Sequence, residues 1–269
     1  MRCDEIIKKL EEEYPLDCAE AWDNPGLMIG HRNQNVNKVL VALDATEESI
    51  RQAIETGADM LVTHHPLLFH GVKSVTDDSF IGRRLLALAE NGIACYAMHT
   101  NFDVIGMAPL NEQQLELTDT RVLDVTRESE GVEEGIGRVG EWEEPKSLMQ
   151  AAEFVRERLG LEAVRCYGLD QYMRSPEPEL IHRVAVCGGS GKDMVGPALA
   201  EDAQVLVSGD ISYHTAIDAL AQGLYIIDAG HYGTEYGFIT YMAGKMRKLF
   251  PDIEVEEMRI HQPYEVIAE

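Results

Sequence analysis

The chain has 269 residues, 45% of them hydrophobic and 26% charged, and no run of about 18 apolar residues. That composition excludes disorder, a fibrous fold and a transmembrane helix. With 23 Lys and Arg against 47 Asp and Glu, the net charge of −24 argues against nucleic acid as a partner, because phosphate contacts need a local basic surface.

The start, Met1-Arg2-Cys3-Asp4-Glu5, is acidic where a signal peptide would be apolar, and the five cysteines include no Cys-x-x-Cys pair. The expectation is a cytoplasmic chain with no disulfide scaffold, no thiolate zinc site and no membrane partner. A first helix is predicted over 4–14, with Ile6, Ile7, Leu10 and Tyr14 on one face. A turn-rich stretch, Ala21-Trp22-Asp23-Asn24-Pro25-Gly26-Leu27, follows. A buried strand is predicted over 39–43. The next helix has Asp44 and Glu47 at capping-box spacing, Ile50, Ala53 and Ile54 facing inward, and Gly57 as its stop. Strand 60–63 runs into His64-His65-Pro66, helix 79–91 ends at Gly92, and strand 93–98 delivers His99.

Residues 128–144, rich in Glu and Gly, read as a boundary. Beyond them come helix 147–159, strands 183–187, 205–208 and 225–228, helix 212–222 and a last long helix over about 234–250. Strands alternating with helices give an α/β fold. The expected division is a first α/β lobe over 1–126, a second over 127–235, and a C-terminal helix and strand, 236–269, packing back onto the first lobe.

The halves resemble each other. Asn91-Gly92 plus a strand leads to His99 and, four residues on, Asp103; Gln222-Gly223 plus a strand leads to His231 and Glu235. Each predicted lobe therefore ends a strand in His-x-x-x-carboxylate, and the cleft between the lobes is the expected metal site. In open α/β sheets ligands bind beyond the carboxyl ends of the strands. Four such ends carry His64-His65, His99 with Asp103, Asp210 with His214, and His231 with Glu235. Imidazoles and carboxylates without cysteine suit a divalent transition metal such as Zn, Mn, Fe, Ni or Co. Three histidines and two carboxylates exceed what one tetrahedral zinc takes and fit two cations sharing a water.

The stretch from Ala21 to Leu27, Leu43-Asp44-Ala45-Thr46, Gly57 through Pro66, His99-Thr100-Asn101-Phe102-Asp103, and Asp228-Ala229-Gly230-His231-Tyr232-Gly233-Thr234-Glu235 resemble the Nif-three-like family, also catalogued as GTP cyclohydrolase I type 2 homologs. The resemblance implies a dinuclear site held by His64, His65, Asp103, His231 and Glu235, two similar lobes, and a ring-shaped homohexamer. It also implies water attack on the purine ring of GTP or a related nucleotide or phosphoester. Where relatives often carry Gly-x-Asn-Asp after the aspartate, this chain has Leu110-Asn111-Glu112-Gln113, so neither Asn111 nor Glu112 receives a role.

His99 is a candidate general base or hydrogen-bond donor to the site, against packing at a strand end. His214 is a candidate proton shuttle, against an exposed helix face. Asp44 reads as a helix cap. Gly188-Gly189-Ser190-Gly191-Lys192 lacks the spacing of a phosphate loop, although its backbone amides suit an anion. The leading expectation is a hydrolase with two divalent cations; a metal carrier or oligomeric adaptor would use the same five residues.

Overall fold

The computed structural model describes residues 1–129, 131–259 and 262–267. In chain order the elements are α1 (Cys3–Glu13), β1 (Gly26–Ile29), β2 (Lys38–Ala42), α2 (Glu47–Thr56), β3 (Met60–Thr63), α3 (Phe80–Glu90), β4 (Ala94–Ala97) and α4 (Thr100–Phe102). A π-helical turn (Asp103–Met107) leads to α5 (Ala108–Gln114), β5 (Thr118–Ser129), β6 (Val132–Lys146), α6 (Leu148–Arg158), β7 (Arg165–Tyr167) and α7 (Leu169–Arg174). Then follow β8 (Ile181–Ser190), α8 (Val195–Ala200), β9 (Val205–Gly209), α9 (Tyr213–Ala221), β10 (Tyr225–Asp228), α10 (His231–Glu235), α11 (Gly237–Leu249) and β11 (Glu254–Glu257).

The chain divides into two units. One comprises Met1–Phe102 with Tyr236–His261, the other Asp103–Glu235 with Gln262–Glu269. The first division falls earlier than the composition shift near residue 127 suggests, and the last segment is shared between the units. The reason lies in residues 118–146. Their Glu-rich stretch is no linker but the antiparallel hairpin β5–β6, with Glu128 opposite Glu133 and Val122 opposite Arg138.

In the first unit the strand order is β1-β4-β3-β2-β11. The strands β11, β2, β3 and β4 run parallel, and β1 closes the edge antiparallel to β4. Parallel strands are covered on both faces, which is why β3 and β4 are buried along their whole length. On one face Leu40, Ala42, Leu61 and Cys95 pack with Ile50 and Ala53 of α2 and Leu85 and Leu88 of α3. Each such side chain contributes about 1.5–3 kcal/mol on burial. Toward the other face lie α1 and α11, linked by the Tyr14 and Tyr241 hydroxyls at 3.2 Å.

Two details depart from expectation. The cap of α2 is Thr46, whose side chain accepts from Ser49 N–H, rather than Asp44. Ile54 is 38% exposed, because Ile50 and Ala53 already fill the inward stripe.

In the second unit the order is β5-β6-β8-β9-β10-β7. Here β8, β9 and β10 are parallel, and the remaining pairs are antiparallel. Leu206, Ile226 and Ala185 pack with Ala216 and Ala219 of α9 and Ala198 of α8. The last helix, expected as one piece, is two: α10 ends at Glu235 and α11 begins at Gly237. Each unit is thus an α/β layer with three or more parallel strands at its centre. No helix among the described residues is long and apolar enough to cross a membrane.

Candidate metal centre

In the first unit β3 ends in a sharp turn. The backbone N–H groups of His64 and His65 both donate to Leu43 O, at 3.2 and 3.0 Å, and Thr63 Oγ1 donates to His65 O at 2.8 Å. Adjacent residues of an extended strand point to opposite faces. The turn removes that alternation, and the two rings lie 4.8 Å apart. His99, just beyond β4, brings a third imidazole 5.3 Å from His64 and 5.5 Å from His65. One nitrogen from each of the three lies within 4.8 Å of the others.

Every one of these rings is tethered. His64 Nδ1 lies 2.8 Å from Met98 O, His65 Nδ1 2.8 Å from Asp44 Oδ1, and His99 Nδ1 2.8 Å from Asp23 Oδ1. A carbonyl or carboxylate oxygen only accepts, so Nδ1 donates in each case and the neutral ring keeps its lone pair on Nε2. Metal-binding histidines are held in the same way, with the second nitrogen donating to a carboxylate or carbonyl. Burial alone would raise the Asp23 carboxyl. Hydrogen bonds from His99 and from Thr100 more than offset it and hold the group at about 2.

The second unit repeats the pattern on α10. His231 Nδ1 donates to Asp210 Oδ2 at 2.8 Å, and His231 Nε2 lies 3.1 Å from Glu235 Oε2, one helical turn along. Glu235 is buried. Its carboxylate is reached because Gly188 and Gly189 have no side chains. A Cβ at Gly189, where φ is +66°, would overlap Glu235 Oε1, and one at Gly188 would lie 3.4 Å from Glu235 Cγ. Thr234 Oγ1 accepts from Gly189 N–H at 2.9 Å and pins the strip in place. Asp103 opens the π-helical turn, a geometry that recurs at functional sites. Burial first, then the Asp103 and Glu235 carboxylates, push the Cys187 thiol up.

His64, His65 and His99 are therefore brought together in one unit, and His231 and Glu235 in the other. The structure carries groups of imidazoles and carboxylates able to hold a metal ion. His214 lies on the first turn of α9, exposed, with its ring edge-on to Tyr213 and outside these groups among the described residues. The Gly188–Gly191 amides are not open to an anion as a whole: Gly189 N–H goes to Thr234 and Gly191 N–H to Gly209 O at 3.1 Å. These glycines make room for a carboxylate instead of a phosphate. The sequence placed Asp210 at a strand end but not as the partner of His231, gave Asp23 no role, and marked Asp44 as a helix cap. The available signal was position, since Asp44 lies two residues past the end of β2 and Asp210 directly follows β9.

A family model described as Duf34/NIF3 (NGG1p interacting factor 3) matches residues 1–263. The chain is 33% identical over 270 residues to the "GTP cyclohydrolase 1 type 2 homolog" of Clostridium perfringens, covering 99% of this chain and all of that protein. To the Lactococcus lactis protein of the same name it is 35% identical over 96% of each chain. A Bacillus cereus protein related to NIF3 superposes with a TM-score of 0.87 at 26% identity, covering 99% of both chains.

Proposed function

Because this chain belongs to the Duf34/NIF3 family, we propose that it is a hydrolase whose His64, His65, Asp103, His231 and Glu235 hold two divalent cations. The observation that carries the reading is the tethering of His64, His65 and His231 through Nδ1, the way metal-binding histidines are held and oriented. Three imidazoles and two carboxylates, with every cysteine outside the set, form a donor group suited to zinc, iron, manganese, nickel or cobalt. Bound there, such cations act as Lewis acids and make water more acidic.

The protein's own groups do the rest. Met98 O, Asp44 and Asp210 fix the orientation of the three rings. Thr234, Gly188 and Gly189 hold the space in which the Glu235 carboxylate sits. His99, oriented by Asp23, moves the proton between water and the leaving group. The substrate class is a purine nucleotide such as GTP, attacked by water at a ring carbon; the relatives' name supports that choice.

Elemental analysis of purified protein beside His231→Ala tests the reading. About two metals per chain, reduced in the variant, with GTP consumed by the wild type, is the expected result. Metal without turnover would make the protein a carrier, and little metal after reconstitution would overturn both.

A further inference from the structure

The turn-rich stretch at residues 21–24 holds a tryptophan in the open. Trp22 is 63% exposed and Phe69, on the loop after His65, is 43% exposed. Both meet the same imidazole. The Trp22 and His99 ring centroids are 5.8 Å apart at 77°, and those of Phe69 and His99 5.5 Å apart at 83°. Rings that cross at such angles meet edge to face and are not stacked face to face. Large aromatics left this far out of a core carry recognition more often than packing.

The loops beneath them are rigidly built. The Asp23 carboxylate, shut off from solvent, accepts on Oδ1 from Asn24 N–H at 2.7 Å and from His99 Nδ1 at 2.8 Å. On Oδ2 it accepts from Thr100 N–H at 3.0 Å and Thr100 Oγ1 at 2.6 Å. Asn24 Nδ2 then donates to Leu68 O at 2.6 Å, which ties the Trp22 loop to the Phe69 loop. Four hydrogen bonds to one buried carboxylate thus hold His99 and anchor the loops that carry the two exposed aromatic rings. With Nδ1 committed to Asp23, His99 offers Nε2 as an acceptor to an N–H on the edge of whatever lies there.

We infer that Trp22 and Phe69 form a stacking platform for a flat, uncharged heteroaromatic ring of the substrate, with an N–H edge of that ring directed at His99. The inference rests on the nucleotide-hydrolase reading for its place beside the histidines. Gripping the ring rather than a phosphate also suits a chain of net charge −24. Stacking of a base on an aromatic side chain changes affinity by about 5- to 150-fold.

The two tryptophans make the test direct. Trp142 is 1% exposed, so quenching of emission by a bound ring reports Trp22. Metal-stripped protein is titrated with guanosine and, separately, with ribose. Saturable quenching by guanosine alone is expected, and equilibrium dialysis of guanosine should show Phe69→Ala and Trp22→Ala binding at least about 5-fold more weakly at unchanged thermal midpoints. Equal responses to guanosine and ribose, or variants that bind as the wild type does, would overturn the platform. The readout needs neither metal nor turnover. Guanosine binding without hydrolysis sinks the hydrolase reading alone; hydrolysis of GTP without guanosine binding sinks the platform alone.

Discussion

Replacing Gly189 by alanine probes whether the glycine strip exists to admit the Glu235 carboxylate. Gly189 has φ +66°, and Gly57, the C-terminal cap of α2, has φ +70°. A side chain in this left-handed region costs roughly 1–2 kcal/mol at either position. The surroundings differ: nothing lies within 4 Å of a Cβ at Gly57, whereas one at Gly189 falls on Glu235 Oε1, far inside the 3.0 Å that Cβ atoms respect. Relieving that overlap moves the carboxylate on the order of 1 Å, several times the about 0.2 Å latitude of a metal–ligand bond.

Gly57→Ala should therefore lose about 1–2 kcal/mol in urea unfolding of chelator-treated protein, and Gly189→Ala at least as much. Gly189→Ala alone should also lose metal affinity, by about 10- to 100-fold in competition with a chromogenic chelator. A Gly189→Ala protein that keeps wild-type affinity would refute the carboxylate-admission reasoning. So would an equal loss of affinity in Gly57→Ala.

Other outcomes follow from the same geometry. Asp23 has a folded-state value of about 2 against 3.8 for the free group, a depressed carboxyl. Its stabilisation, about 2 kcal/mol, is present above pH 3.8 and drains away as pH falls toward 2. Urea midpoints between pH 5 and 2 should fall more steeply for wild type than for Asp23→Asn, and parallel curves would contradict the pairing. Leu88→Ala, in the α2–α3 side of the first core, should cost about 2–5 kcal/mol. Ile54→Ala, at a position exposed to solvent, should cost under about 0.5 kcal/mol. Chelation of protein with metal at about 100 times its Kd should lower Tm by roughly 5 °C or more. An unmoved Tm would mean that the histidine groups bind no metal in the folded chain. Asp103→Asn and Glu235→Gln should lose metal while keeping the far-UV spectrum of the wild type; full metal content in either would remove that residue from the ligand set.

Much of the architecture was legible because parallel strands advertise themselves. Val39 to Ala42, Met60 to Thr63 and Val205 to Ser208 are short apolar runs that lie where they were expected, each followed by a helix with a capping residue or glycine stop. The β5–β6 hairpin was not legible. Its far end is solvent-facing, so glutamates occupy both strands there, and Leu123, Val139 and Trp142, widely spaced, are the large apolar side chains that mark a buried face. The histidines that the structure groups, His64, His65 and His99, were conspicuous in the sequence from their strand-end positions. Their orienting partners were not, because Asp23 and His99 are 76 residues apart and nothing local announces the pair. Asp44 was misleading for a related reason: a carboxylate at a helix start reads as a cap until a neighbour, Thr46, is seen to do that work.

The first unit is interrupted in sequence by the second. Its edge strand β11 and the helix α11, which carries the fully buried Phe238 and Met246, lie beyond residue 235, and the rest of its sheet is complete by residue 102. A ribosome adding roughly 5–20 residues per second therefore leaves that apolar face without its last helix for about 7–30 s. During that interval all of Asp103–Glu235 is made and free to fold. Birth order and spatial order are thus reversed: the unit begun first is finished last, and nascent chains of this protein pass through a stage in which the interior of one half is a sticky surface in need of shelter.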